Sequence, residues 1–124
     1  MEHLSADALA DIAGYFQALS EPSRLQLLNL LRHGARNVTE LAALTHQSSA
    51  NVSRHLALLT AKGIVSRESR GVSVYFRVAD PAIFQMCDLV CGQIERQFEA
   101  AARKRAAFAR GPATRVGEGG APAD

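Results

Sequence analysis

This sequence predicts a mainly α-helical fold carrying one small β-hairpin, and three observations predict it. Apolar residues recur at helical spacing as far as Lys62. Strict alternation replaces that spacing in the segment ending at Val78, and helical spacing returns from Asp80 onward.

Ser5 can cap a first helix on which Leu9, Ile12, Ala13 and Phe16 recur at helical spacing. A second helix begins at Ser20-Glu21-Pro22. Ser20 supplies the cap, Glu21 suits the positive end of the helix dipole, and Pro22 is tolerated in the first turn. Leu25, Leu27, Leu28, Leu30 and Leu31 make this helix apolar almost all round, which predicts a central place in the core, and Gly34 stops it. Thr39 caps a short third helix, Glu40 to Leu44, with Leu41 and Leu44 facing inward. The polar turn Thr45-His46-Gln47-Ser48 leads to a fourth helix capped by Ser48 or Ser49. Val52, Leu56 and Leu59 lie on one side of it, and Lys62-Gly63 ends it. Ile64 to Ser69 and Val72 to Val78 are then strands joined at Arg70-Gly71, with Val72, Val74, Phe76 and Val78 alternating. Asp80-Pro81 opens a long helix that reaches about Arg105 or beyond. Ile83, Cys87, Val90, Cys91, Ile94, Phe98 and Ala101 fall on one face of it, a stripe that outruns so small a domain and needs a partner, most simply a second copy of the chain. From Gly111 onward Gly, Pro, Ala and polar residues dominate, so residues 1–109 are read as the folded domain and 110–124 as a disordered tail.

At 124 residues and 48% hydrophobic, the chain fits a single domain and has no apolar run long enough for a bilayer. The acidic N-terminus lacks the basic stretch and apolar core of a signal peptide, which places the protein in the cytoplasm with its two cysteines reduced. The net charge of +2 is too small to imply nucleic acid by itself, but its distribution is uneven. Residues 36–77 carry six basic side chains against two acidic ones, whereas residues 1–35 are net acidic and 78–124 are balanced. The positive excess sits where a phosphate backbone would hold it.

Two short helices joined by a polar turn, followed by a two-stranded hairpin, make a winged helix-turn-helix. The second helix of such a pair enters the major groove and presents its N-terminal residues to base edges. Those residues are Gln47, Ser48, Ser49, Asn51, Ser53, Arg54 and His55, short or forked hydrogen-bonding side chains of the kind base reading requires. Ser48 serves equally well as a helix cap, and His55, one helical step from Val52, equally well as a residue at the edge of the core. Arg67 and Arg70 on the hairpin would meet phosphate or enter a minor groove.

These residues also resemble a known family. The run Leu19-Ser20-Glu21-Pro22-Ser23-Arg24-Leu25, then Val38-Thr39-Glu40-Leu41, then Asn51-Val52-Ser53-Arg54-His55-Leu56, and finally Gly63-Ile64-Val65 through Gly71 and Val74-Tyr75-Phe76, is similar to the ArsR/SmtB family over roughly residues 10–95. That resemblance implies a homodimeric winged-helix repressor, dimeric through its first and last helices and released from double-stranded operator DNA by an inducer. The operator would be an inverted repeat with half-sites about one turn apart.

Sensor sites of the common designs are missing from the sequence. The cysteine box often found in the family's third helix falls on Glu40-Leu41-Ala42-Ala43-Leu44, and no histidine lies between Pro81 and Arg105. His3, His33, His46 and His55 are scattered and form no recognisable ligand set. Cys87 and Cys91 remain, one helical turn apart with Cβ atoms roughly 5–6 Å from each other. That suits two thiolates converging on a thiophilic metal or metalloid inducer, or redox and sulfur chemistry, and it suits packing as small apolar residues equally. It fits a direct disulfide badly. No cofactor is required. An enzyme is disfavoured, for the chain has no nucleophile with a patterned His and carboxylate, no Gly-rich phosphate loop and no metal-hydrolase spacing. A winged-helix protein-interaction module is the alternative, weakened by the basic middle third.

Overall fold

The computed structural model describes residues 1–110. Among them the elements run α1 (Ala6–Ala18), α2 (Pro22–Leu31), α3 (Val38–Thr45), α4 (Ser49–Ala61), β1 (Val65–Arg70), β2 (Ser73–Val78) and α5 (Ala82–Arg110). The chain divides into two compact units, Met1–Phe84 and a second that begins at Gln85. Of the predicted tail, 110–124, Arg110 instead ends α5 and the rest lies outside the described residues.

Local chemistry sets most of the helix ends. Ser5 caps α1 as expected, its hydroxyl accepting from the Ala8 N–H at 3.1 Å. Two expected caps are displaced. Ser20 does not cap α2, because its hydroxyl turns back and donates to the Gln17 carbonyl at 2.7 Å. Glu21 takes the cap position without a side-chain cap bond, and Pro22 opens the helix. Thr39 does not cap α3 either. Asn37 does, through a capping box in which its Oδ1 accepts from the Glu40 N–H at 2.8 Å while Glu40 Oε1 accepts from the Asn37 N–H at 2.9 Å. Two free N–H groups are satisfied together, which outweighs the single bond a threonine could offer. The helix ends at His46, held in the left-handed region at φ 58°.

Ser48 caps α4 by accepting from the Asn51 N–H at 3.1 Å. At the other end Gly63 takes φ 74°, which frees its N–H for the Thr60 carbonyl and that of Ile64 for the Leu59 carbonyl, both at 3.0 Å. This Schellman closure turns the chain from helix into strand. β1 and β2 pair antiparallel, from Val65 opposite Val78 to Arg70 opposite Ser73. The turn is therefore Gly71-Val72, one residue further on than Arg70-Gly71. Val72 sits exposed at its tip and takes no part in the expected alternation. Gly71, at φ 62°, supplies the positive dihedral that a two-residue hairpin needs. Phe76 also exchanges both backbone hydrogen bonds with Arg36, at 2.8 and 3.0 Å, so the wing is pinned to the segment that leads into α3.

The core of the first unit gathers Leu27, Leu28 and Leu31 of α2, Leu41 of α3, and Val52, Leu56 and Leu59 of α4 against Ile64, Val65, Phe76 and Ile83. Leu25 and Leu44 stay exposed, so α2 is less uniformly buried than its leucines predict and Leu44 does not face inward. α1 leaves Leu9 and Phe16 open to solvent, the latter 52% exposed. Asp80 Oδ1 accepts from the Ala82 N–H at 2.9 Å at the start of α5. Along that helix Val90, Ile94, Phe98 and Phe108 are all exposed, Phe98 by 70%, which lengthens the predicted stripe. Among the described residues no helix is long and apolar enough to cross a membrane.

Candidate nucleic-acid interface

The outer face of α4 carries a connected row of polar side chains. Gln47 Oε1 accepts from Asn51 Nδ2 at 2.8 Å, and Asn51 Oδ1 in turn accepts from Arg54 Nη2. Asn51 and Arg54, three residues apart, share one face of α4, and Gln47 joins them from the turn before the Ser48 cap. Amides and guanidinium groups are the ones that pair in bidentate fashion with adenine and guanine edges. Ser49 and Ser53 are exposed beside the row, as Arg54 is within it, and Ser48 is committed to the cap through its hydroxyl. Gln47 Nε2 is buried without a hydrogen-bond partner, so the row begins with a donor left unsatisfied.

His55 does not belong to this surface. It is 5% exposed and turned towards the start of α2. There its Nε2 lies 3.2 Å from Glu21 Oε1 and its Nδ1 lies 3.4 Å from Arg24 Nη1. Burial pushes the imidazole pKa below its ordinary value, Glu21 opposes that shift, and Arg24 and Arg54 reinforce it. The polar row therefore excludes His55, whose ring is buried against a carboxylate and a guanidinium. Arg24 was absent from the sequence reading of the site, and no local signal points to it, since 31 residues separate it from His55.

The wing presents its arginines on exposed backbone. Arg70 donates from Nε to Glu68 Oε2 at 2.7 Å, and its guanidinium lies 4.5 Å from the centroid of Tyr75. Arg77 reaches the other oxygen of Glu68 at 3.8 Å. The hydrogen bond and charge of Arg70 hold the Glu68 carboxyl below the usual carboxylate range. Tyr75 stands opposite Glu68 in the register, so Arg70 is braced from both sides rather than trailing in solvent. Arg67 lies 5.9 Å from the Phe76 ring. Together with Ser53, Ala57, Thr60 and Phe76 it lines a cleft of about 530 Å³ between α4 and the hairpin. Tyr75 and Arg77 went unselected in the sequence, although each lies near a charged partner once the register is known.

Cys87 is partly buried and Cys91 exposed, and both are free thiols one turn apart on α5. No group of three or more His, Cys, Asp or Glu side chains able to hold a metal ion occurs among the described residues. Cys87 and Cys91 are the two thiol ligands that the described residues offer on this helix.

The profile of bacterial regulatory proteins of the arsR family matches residues 21–67, which spans α2 to the first residues of β1. The chain is 35% identical over 85 residues to the transcriptional regulator NmtR of Mycobacterium tuberculosis, covering 68% of this chain and 71% of that protein. This chain belongs to the ArsR family. Among solved structures it is similar to the homodimeric winged helix-turn-helix DNA-binding domain Mb0332 of Mycobacterium bovis. That likeness has a TM-score of 0.70 at 29% identity, over 81% of this chain and 95% of that one. An antimony-specific transcriptional repressor, AntR, matches with a TM-score of 0.67 at 27% identity, over 80% of this chain and 90% of its own. For two further curated relatives, repressors of the SmtB type, the chain spans only 64% and 54% of their length. The family consists of DNA-binding transcriptional regulators rather than enzymes, and this ArsR-family chain is a winged helix-turn-helix regulator of that kind.

Proposed function

We propose that this chain is a homodimeric repressor that reads an inverted-repeat operator and is released from it by an inducer. The observation that carries the reading is the hydrogen-bonded row Gln47–Asn51–Arg54, which runs from the turn before α4 onto that helix, next to a wing whose Arg70 is held by Glu68 and Tyr75. With α4 in the major groove, Gln47, Ser49, Asn51, Ser53 and Arg54 face base edges, and Arg67 and Arg70 meet phosphate or the adjacent minor groove. The apolar faces that α1 and α5 leave open would close on a second copy, and a similar winged helix-turn-helix domain is homodimeric. Two copies set half-sites about 34–36 Å apart.

Cys87 and Cys91 are the effector candidates. Within a cytoplasm that keeps thiols reduced, they offer two sulfur ligands to a thiophilic metal or metalloid such as arsenite, or a pair for redox or sulfur chemistry. A complete soft site needs further ligands, which a second copy can bring. The antimony-specific relative supports that direction.

Selection from a randomised duplex library tests the reading. An inverted repeat with half-sites one turn apart is the expected winner, and binding with no sequence preference would overturn it. Operator affinity is then measured with and without arsenite, peroxide and persulfide, for the wild type, Cys87→Ser and Cys91→Ser. Release of the wild type alone assigns the input to the cysteines, and an equal response in both variants removes them from it.

A further inference from the structure

Arg24 touches three elements at once. At the end of α1 its Nε donates to the Ala18 carbonyl at 2.6 Å and its Nη2 to the Gln17 carbonyl at 3.4 Å. At the start of α2 its Nη1 lies 3.1 Å from Glu21 Oε2, and on α4 the same nitrogen lies 3.4 Å from His55 Nδ1. A guanidinium has donors and no acceptor, so His55 Nδ1 must be the accepting nitrogen. Nε2 then carries the ring proton and directs it at Glu21 Oε1, 3.2 Å away. The fold thus holds His55 in one neutral tautomer.

A second proton would go onto Nδ1. There it sets donor against donor and an imidazolium against the Arg24 guanidinium, in a site where the ring is 5% exposed. The charged groups that act on the ring are Glu21 and Arg24 from the start of α2 and Arg54 on α4 itself. Glu21 favours the added charge, but one of its oxygens already faces Nε2 and the other Arg24. Arg24 and Arg54 both oppose it.

We propose that Arg24 and His55 are positioning residues that form a proton-sensitive latch, tying the recognition helix α4 to the end of α1 while His55 is neutral and loosening it when His55 is protonated. The latch rests on the DNA-binding reading given above. Its output is the orientation of Asn51 and Arg54, which share a turn of α4 with His55. The sign is the reverse of the usual one, because a protonated histidine near DNA ordinarily adds a favourable charge.

Fluorescence anisotropy with the duplex that the wild type selects, at fixed salt, tests the latch between about pH 7.5 and about pH 5.5. Circular dichroism at each pH confirms that the chain stays folded. Wild-type affinity should fall severalfold on acidification. His55→Gln should hold near the neutral-pH affinity throughout, because its amide accepts from Arg24 and donates to Glu21 without titrating. Arg24→Lys should bind severalfold more weakly at neutral pH, since an ammonium cannot span three partners in a fixed fork. Imidazole nitrogen chemical shifts of the free chain should report the neutral Nε2–H tautomer. A wild-type affinity that stays flat or rises on acidification overturns the latch, as does a His55→Gln variant that follows the wild-type profile, or an Nδ1–H tautomer. If His55→Gln fails to fold, the wild-type profile and the tautomer decide. Loss of all sequence-specific binding at every pH would overturn the DNA-binding reading itself, whereas a flat profile with specificity intact overturns the latch alone.

Discussion

Single side chains in this protein act through bonds that close locally or bonds that reach across the fold. Asn37 is of the first kind, and its exchange with Glu40 satisfies two N–H groups at the start of α3. Asn37→Ala should cost about 1 kcal/mol, read as a lower urea midpoint with an unchanged denaturant slope. The box was legible as Asn37 followed three residues later by Glu40, a pattern that Thr39, with Ala42 at the same spacing, does not offer. His55 is of the second kind. Its folded-state pKa lies below the ordinary imidazole value, so the unfolded chain takes up a proton first on acidification. The stability it contributes is complete above about pH 6.5 and falls as the pH drops through that value towards the folded pKa. Thermal melts across that window should show a steeper decline for the wild type than for His55→Gln, and parallel declines would remove His55 as the source. Nothing local marked His55 as buried against Glu21 and Arg24, because that cluster exists only after α2 and α4 have packed.

At the scale of elements, α4 was the most legible part of the chain and the wing the least. The Ser48 cap, the inward positions Val52, Leu56 and Leu59, and the stop at Gly63 are all encoded within one short stretch, so spacing and cap chemistry agree. The hairpin register is instead set by a two-residue turn and by pairing of Phe76 with Arg36, a residue far away in sequence. Moving the turn by one residue put Arg70 at the end of β1, where Glu68 and Tyr75 brace it, and left Val72 at the tip. A braced arginine at that place is suited to phosphate. Arg70→Ala should weaken binding to all duplexes alike and reduce the slope of affinity against salt by about one unit, with specificity preserved. A salt titration checks this, and a specificity change without a slope change would assign Arg70 to base reading instead.

The whole molecule is defined by what one chain leaves uncovered. Phe16 on α1 and Val90, Ile94, Phe98 and Phe108 on α5 form apolar surface that a single copy does not bury. Removing such surface from water is worth roughly 25 cal/mol per Å², so a few large side chains amount to several kcal/mol of association. Phe98→Asp places a charge within the α5 stripe and should shift the sedimentation mass from dimer to monomer, and operator affinity should fall with it. A variant that stays dimeric would show that α5 is not the seam. The stripe was readable from helical spacing, and its excess over so small a domain already pointed to a second copy, in line with a similar domain that is homodimeric. Sequence reading by the α4 row is measured by the ratio of affinities for the selected inverted repeat and a scrambled duplex at one salt concentration. The wild type should prefer the repeat by at least about a thousandfold, and Arg54→Ala should cut that preference by roughly tenfold or more while leaving the fold intact. Equal affinity of the wild type for both duplexes, or an unchanged ratio in Arg54→Ala, would contradict it.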